Sequence, residues 1–581
     1  PYAYLYRDWV IRAINRDLPF DQFTIEQLAG DLLPNATHEQ KVATGFHRQT
    51  LTNKEGGVDP EEFRCKAVVD RVSTTGSVWF GLTVGCAECH SHKYDPITQR
   101  EFYQLFAFFD NADEKDIPAA LPVELTTYDE EKRKWDAENR RLKETLAAYV
   151  KSDEIDAEAK RLSQKIEAHA KKEPKLPETK AAILAENEKP RKTYVHIRGD
   201  FLRKGEEVRP GTFAVLHPLK SESQGSARAS RVDFGASPKS SRSDTASSTP
   251  RTAPEGLVET SNPAREVPAF PNRLDLARWL FDPDNPLTSR VTVNRIWFHL
   301  FGRGVVATLD DFGTRGEKPS HPELLDWLAT EFPRLGWSQK AMIKLMVTSS
   351  TYRQSSRLRP ELIDRDPNNI LFARQNRLRL EAETVRDVFL AASGLLNSAV
   401  GGPSVRPPLP ADIAAIGYAN QIKWKASEGA DRYRRGLYIF FQRTVPYPML
   451  VTFDAPDSNV TCPRRERSNT PLQALTLLND PVFFECAQAL GRRVAAEPAR
   501  DSKEKVRYAF ERCFTREPTP EEFARLQKLY ADQLRLLQRN PENAAKIIGA
   551  STKDGQNTVE TAALVAVART LLNIDEFMTR E

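Results

Sequence analysis

The sequence predicts a mainly α, multi-domain protein. Three observations predict it. Apolar residues recur at helical spacing through most of residues 1–127 and 271–581. Residues 128–190 mix Glu, Lys, Arg and Ala with sparse Leu and Ile, the composition of long solvated helices. Only one short stretch, Thr193 to Arg198, alternates in the manner of a strand. At roughly 100–200 residues per domain, a chain of 581 residues should hold three or four.

Charge and hydropathy exclude some function classes. There are 84 Lys and Arg against 80 Asp and Glu, a net charge of +4, which argues against a nucleic-acid binder. No apolar run approaches the roughly 20 residues of a membrane-spanning helix, so no transmembrane segment is expected in this chain. No signal peptide is recognisable. The chain opens at Pro1 without an initiator Met, and a leader that was removed or lies outside the sequence is expected.

Within residues 1–127, Trp9, Val10, Ala13 and Ile14 share one helical face, and Asp21 is placed to cap a second helix. Residues 33–37 read as a turn before a third helix that reaches His47. The stretch Thr52–Glu62 combines two adjacent glycines with four carboxylates. It is read either as a cation or substrate-hydroxyl site in the Glu55–Glu62 loop, or as a glycine turn before acidic residues in a helix's first turn, where the macrodipole favours them. Residues 61–84 then read as one long amphipathic helix.

That helix delivers Gly85-Cys86-Ala87-Glu88-Cys89-His90. The pattern C-x-x-C-H is the one by which a c-type haem is attached. Two thiols three positions apart can each add to a haem vinyl group, and the following His90 is then carried to the iron as proximal ligand. The added His, and the lack of a second C-x-x-C pair, argue against zinc. A dithiol/disulfide pair and a coincidence of spacing are the competing readings. Cys86, Cys89 and His90 are thus the expected residues for one covalent haem c, and residues 1–127 the expected helical haem domain.

For the sixth iron position, His47 is the candidate distal ligand, weighed against a vacant or water-filled position. His92 lies too close to His90 to reach the opposite face, and the four methionines are remote in sequence. Tyr94 and Phe102 to Phe109 supply an aromatic helix expected to wall a haem pocket or to form ordinary core. The remaining cysteines, Cys65, Cys462, Cys486 and Cys513, have no disulfide-scaffold spacing.

Residues 128–190 read as an antiparallel charged helical hairpin with breaks near Lys151 and Glu173, and His169 on its surface. Residues 191–219 read as a small β-element. Residues 220–270, rich in Ser, Arg, Thr and Pro, cannot bury a core and read as a linker or strap. Residues 271–581 read as a mainly helical C-terminal domain, with Ser320 capping the helix at Pro322 and Arg435–Phe441 as its best strand. Arg379, Glu381, Glu383, Arg386 and Asp387 read as a salt-bridged stretch. Arg464, Arg465 and Arg467 are expected to pair internally, with an anion or haem propionates as alternatives.

The block Asn53–Arg64, with Gly81–Ile97, resembles the planctomycete cytochrome-c-like domain proteins. Val293–Gly304, Ser320–Leu328 and Arg467–Leu475 resemble their companion C-terminal domain. The resemblance covers most of the chain outside the charged hairpin and the Ser-rich stretch. It implies an exported bacterial haem protein with Cys86, Cys89 and His90 as haem-binding residues, and it supplies no catalytic residue.

Haem attachment to C-x-x-C-H takes place outside the cytoplasmic membrane in bacteria, so the periplasm or cell envelope is the expected location. The expected function is electron transfer with a redox partner protein or second cytochrome, in an envelope oxidoreductase. The alternative is a structural or assembly protein of the envelope whose haem stabilises the fold. Enzyme status and oligomerisation are left open.

Overall fold

A computed structural model describes residues 3–51, 57–120, 122–149, 157–175, 177–219, 270–410, 424–442, 445–498, 501–549 and 558–580. Helix accounts for 56% and strand for 6%, so the expected mainly α class holds.

The chain begins with α1 (Tyr4–Asn15), α2 (Phe20–Ala29) and α3 (His38–Ala43), the last closed at its start by a Thr37–Gln40 capping box. Asp21 does not cap α2. The helix starts at Phe20, and Asp21 lies inside its first turn. Asp59 caps α4 (Pro60–Thr75), with Pro60 at the first position and Glu61 and Glu62 in the first turn.

The long helix expected over 61–84 stops earlier. After Thr75 the chain widens into a π-turn at Gly76–Phe80 and ends at Gly81, which takes φ +60°. A left-handed residue closes a helix most readily when it has no Cβ. The cysteine motif therefore begins on a separate 3₁₀ turn, Val84–Glu88, with Cys89 at its C-cap and His90 just beyond. Below it runs α5 (Gln99–Asp110), started by a Thr98–Glu101 capping box.

Strand β1 (Ala112–Pro118) follows α5 and pairs antiparallel with β2 (Lys180–Glu186). This corrects the reading of 112–118 as helical body and of 180–190 as hairpin. The charged helices α6 (Pro122–Tyr149) and α7 (Ala157–Ala170) project from between the two strands. The expected break near Lys151 lies outside the described residues. His169 is half-buried: its ring stacks on Trp135 at 5.0 Å, and Trp135 Nε1 donates to the His169 carbonyl at 2.9 Å. β3 (Thr193–His196) and β4 (Lys204–Val208) form the expected small β-element. Most of the stretch read as linker or strap, 220–269, lies outside the described residues.

The core does not divide at residue 271. α8 (Arg273–Trp279) begins the expected C-terminal domain, yet Leu276, Ala277 and Trp279 pack into the core of α4 and α5. Arg273 is fully buried there. It donates to Asp31 Oδ2 (2.7 Å), Glu186 Oε2 (2.9 Å) and the Leu28 carbonyl (2.8 Å). Burial works against its charge, but Asp31 and Glu186 outweigh that and raise its pKa.

A second core gathers α9 (Thr288–Phe301) with the helices Pro322–Arg334 and Gln339–Val347. A third is built from 382–393, 481–495 and 558–572. Ser320 does not cap its helix: His321 holds the cap position, and Ser320 Oγ lies against the Val305 carbonyl. Arg435–Phe441 is not a strand but a 3₁₀ turn with one bridge from Ile439 to Val405. No described helix is long and apolar enough to cross a membrane.

Candidate haem-attachment site

The 3₁₀ turn sorts the motif by side. Val84 and Ala87 point inward and are buried, while Cys86, Cys89 and His90 are exposed. The segment is pinned from below at one atom, the Glu88 carbonyl, which accepts from Gln99 Nε2 (2.8 Å) and Tyr103 Oη (3.1 Å) of α5. Gln99 Nε2 also donates to the His196 carbonyl at 3.1 Å, tying in the β3–β4 hairpin. From the side, Gly199 takes φ +77°, and a methyl group there would stand 2.8 Å from Cys89 Sγ.

Neither motif cysteine forms a disulfide. Burial, and then the Glu88 carboxylate, push the Cys89 thiol up. His90 Nδ1 lies 2.7 Å from the Ser91 carbonyl. A carbonyl only accepts, so Nδ1 carries a proton, and in the neutral ring Nε2 is then the nitrogen with the lone pair. This is the tautomer of a histidine ligand held through its other nitrogen. Two exposed thiols and an imidazole with a free Nε2 form a donor set that fits c-type haem.

His47 is placed elsewhere. It is 1% exposed, its Nε2 donates to the Leu28 carbonyl (3.1 Å), and its ring packs on Phe46 and Phe109. Burial, then Arg273 and Arg71, hold its pKa well below the usual histidine range. His47 belongs to the buried Arg71–Arg273 cluster, and its side chain is engaged in the protein interior. His92 is a turn residue, with Nδ1 accepting from the backbone N–H of Asp95 at 2.9 Å.

The aromatic helix is core. Phe102, Tyr103, Phe106, Phe108 and Phe109 are buried against Val68, Val72, Trp79 and Phe80. They support the motif from beneath. Tyr94, after the motif, is half-exposed, with the Arg315 guanidinium 4.8 Å from its ring centre.

The described part of the acidic loop has structural partners. Asp59 caps α4, Glu61 pairs with Arg64 at 2.8 Å, and Glu62 pairs with Lys66. Glu55 lies outside the described residues. Among the described residues there is no group of three or more His, Cys, Asp or Glu side chains suited to a metal ion.

The C-terminal charges pair within their own domain. Arg465 reaches Glu383 (2.8 Å) and Glu381 (3.1 Å), Arg467 reaches Glu381 (3.4 Å), and Arg379 bonds Asp454. Sequence reasoning missed Arg295 and Asp95, which join the motif segment to the C-terminal domain. Their partners lie more than two hundred residues away in sequence, and no local pattern marks them.

Residues 1–114 match the family model PSCyt2, described as a protein of unknown function (DUF1549). Residues 272–530 match PSD1, described as a protein of unknown function (DUF1553). The chain carries both companion domains. PSCyt2 contains the whole Cys86–His90 segment, and PSD1 contains Arg295 and the Arg465–Glu383 network. No curated protein and no solved structure matches the chain.

Proposed function

We propose that this chain is an exported c-type haem protein of the periplasm or cell envelope that acts in electron transfer, with a redox partner protein or second cytochrome. The observation that carries the reading is the donor set on one exposed turn: Cys86 and Cys89 facing outward, and His90 with Nδ1 bonded to Ser91 and Nε2 free. Cys86 and Cys89 would hold the haem by thioether bonds, and His90 would be its proximal ligand. When bound, haem iron supplies reversible one-electron chemistry at a potential set by its ligands and its exposure.

The chain's own residues keep the motif in place. Gln99 and Tyr103 hold the Glu88 carbonyl, Ser91 orients the imidazole, and the rings of α5 form a rigid floor. Because Cys86, Cys89 and His90 are exposed on the outer side of that floor, a haem held by them would be within reach of a partner protein. The alternative, an envelope structural protein whose haem stabilises the fold, is less favoured because the core of α4 and α5 is already closed by its own side chains.

An absorption spectrum of the purified protein, oxidised and reduced, followed by denaturing extraction, tests the proposal. The expected result is haem that stays with the chain and gives a c-type pyridine spectrum. Carbon monoxide binding to the reduced form would show an open sixth position. Protein isolated from a host competent in haem attachment, yet free of covalent haem, would sink it.

A further inference from the structure

The segment from Gly76 to Asp95 is held at both ends by the C-terminal domain. At the start, the π-turn presents carbonyls that its own helix does not satisfy. Arg295 of α9 takes them: Nη1 donates to the Val78 carbonyl (2.5 Å), and Nη2 to the carbonyls of Ser77 and Leu309. Among the described residues Arg295 has no carboxylate partner within salt-bridge distance, and burial lowers its pKa to about 10. Burying a guanidinium costs desolvation free energy, and here bonds to three main-chain carbonyls offset it. Next to it the Phe312 N–H donates to the Gly81 carbonyl at 2.7 Å. A methyl on Gly81 would stand 2.9 Å from both Phe312 and Val291.

At the far end, Asp95 Oδ1 accepts from the N–H (2.7 Å) and hydroxyl (3.0 Å) of Thr314. Gly313 lies so close that a methyl there would stand 2.5 Å from both carboxylate oxygens. Just before the segment, Thr74 of α4 and Thr461 share a hydroxyl contact of 2.7 Å. Cys86, Cys89 and His90 lie between these clamps.

From this geometry we infer that the C-terminal domain, acting on the two ends of the segment alongside the α5 bonds to the Glu88 carbonyl, helps set the position of the Cys86–His90 turn, with Arg295 as the positioning residue and the Asp95–Thr314 clamp as its second support. Where the turn bears haem, which rests on the function proposed above, the haem's potential also depends on residue 295.

The test uses the full chain and the variants Arg295→Met, Arg295→Lys and Thr314→Val, each first checked for a wild-type unfolding transition. Hydrogen exchange across residues 76–97 is compared with exchange in residues 481–495, which are remote from the clamps. Arg295→Met should speed exchange at residues 76–92 by about tenfold, given the strength of hydrogen bonds from a charged donor. Arg295→Lys should recover part of the protection. Thr314→Val should speed exchange at 92–97 alone, and it keeps the test decisive if Arg295→Met does not fold. In haem-loaded protein the midpoint potential should move in Arg295→Met and return toward wild type in Arg295→Lys. Unchanged exchange at 76–97 in folded Arg295→Met or in Thr314→Val overturns the inference. Absence of covalent haem in the wild type overturns only the function proposed above, because the exchange measurement does not need haem.

Discussion

His90 and His47 belong to two regions built on opposite principles. Around His90, side chains that can react stand outward, and the bonds that hold them are made by main-chain atoms and by neighbours such as Gln99 and Tyr103. Around His47, the buried Arg71 and Arg273 are paired with carboxylates: Arg273 with Asp31 and Glu186, and Arg71 with Glu114 at the cluster's exposed edge. The first region invests in accessibility and the second in connectivity. Buried charge is weak evidence for chemistry when each group already has a partner. An exposed turn with a free ring nitrogen and two thiols is better evidence, although it holds far fewer charges.

The comparison breaks most readily at Arg273. Arg273→Met leaves Asp31 and Glu186 buried without their cation and should cost about 3–5 kcal/mol in denaturant unfolding. A loss below about 1 kcal/mol would show that the cluster does not tie α2, β2 and α8 together.

The next effect is on pH. His47 has a folded pKa below its unfolded value, so the unfolded state binds more protons between the two. Its contribution is fully present above the ordinary histidine value near 6.5 and is lost as pH falls toward the folded pKa. The expected slope is about 1.4 kcal/mol per pH unit within that window. His47→Gln keeps a donor for the Leu28 carbonyl, and unfolding curves from pH 7 to 5 should flatten in it. An unchanged slope would mean that His47 is not the titrating group.

Thr98→Ala removes the cap of α5 beneath the motif and should cost about 1 kcal/mol. The smallest change in stability is expected where the chemistry is expected to be greatest. Cys86→Ser with Cys89→Ser alters two exposed side chains and should shift the haem-free protein by no more than about 0.5 kcal/mol, while abolishing covalent haem in pyridine spectra. A large loss of stability in the haem-free double variant would erase the distinction between the two regions.

Much of the helical framework is legible locally. Thr37, Thr98 and Thr519 each stand three residues before a Gln or Glu at a helix start, and each forms the reciprocal capping box that this spacing predicts. The C-x-x-C-H spacing of Cys86, Cys89 and His90 is likewise read directly from the chain, because it spans a single turn. The pairing of β1 with β2 is not legible. Ala112–Pro118 is mostly polar and lacks alternation, and its partner lies beyond a helical hairpin. Asp21 and Ser320 show the limit of cap residues read without their hydrogen bonds. Of the two readings of α5, pocket wall or ordinary core, the structure shows core: an apolar stripe reveals that α5 buries a face, but not whether a cavity or another helix meets it.

The sequence by itself determined the mainly helical class, the charged hairpin, the small β-element and the cysteine–histidine turn, since each follows from residues within a few positions of one another. Only the tertiary structure decided that α8 joins the N-terminal core, that His47 is architecture, and that Arg295 and Thr314 grip the motif segment. Those outcomes depend on burial and on hydrogen bonds between residues far apart in the chain. Burial and long-range pairing are properties of the packed whole.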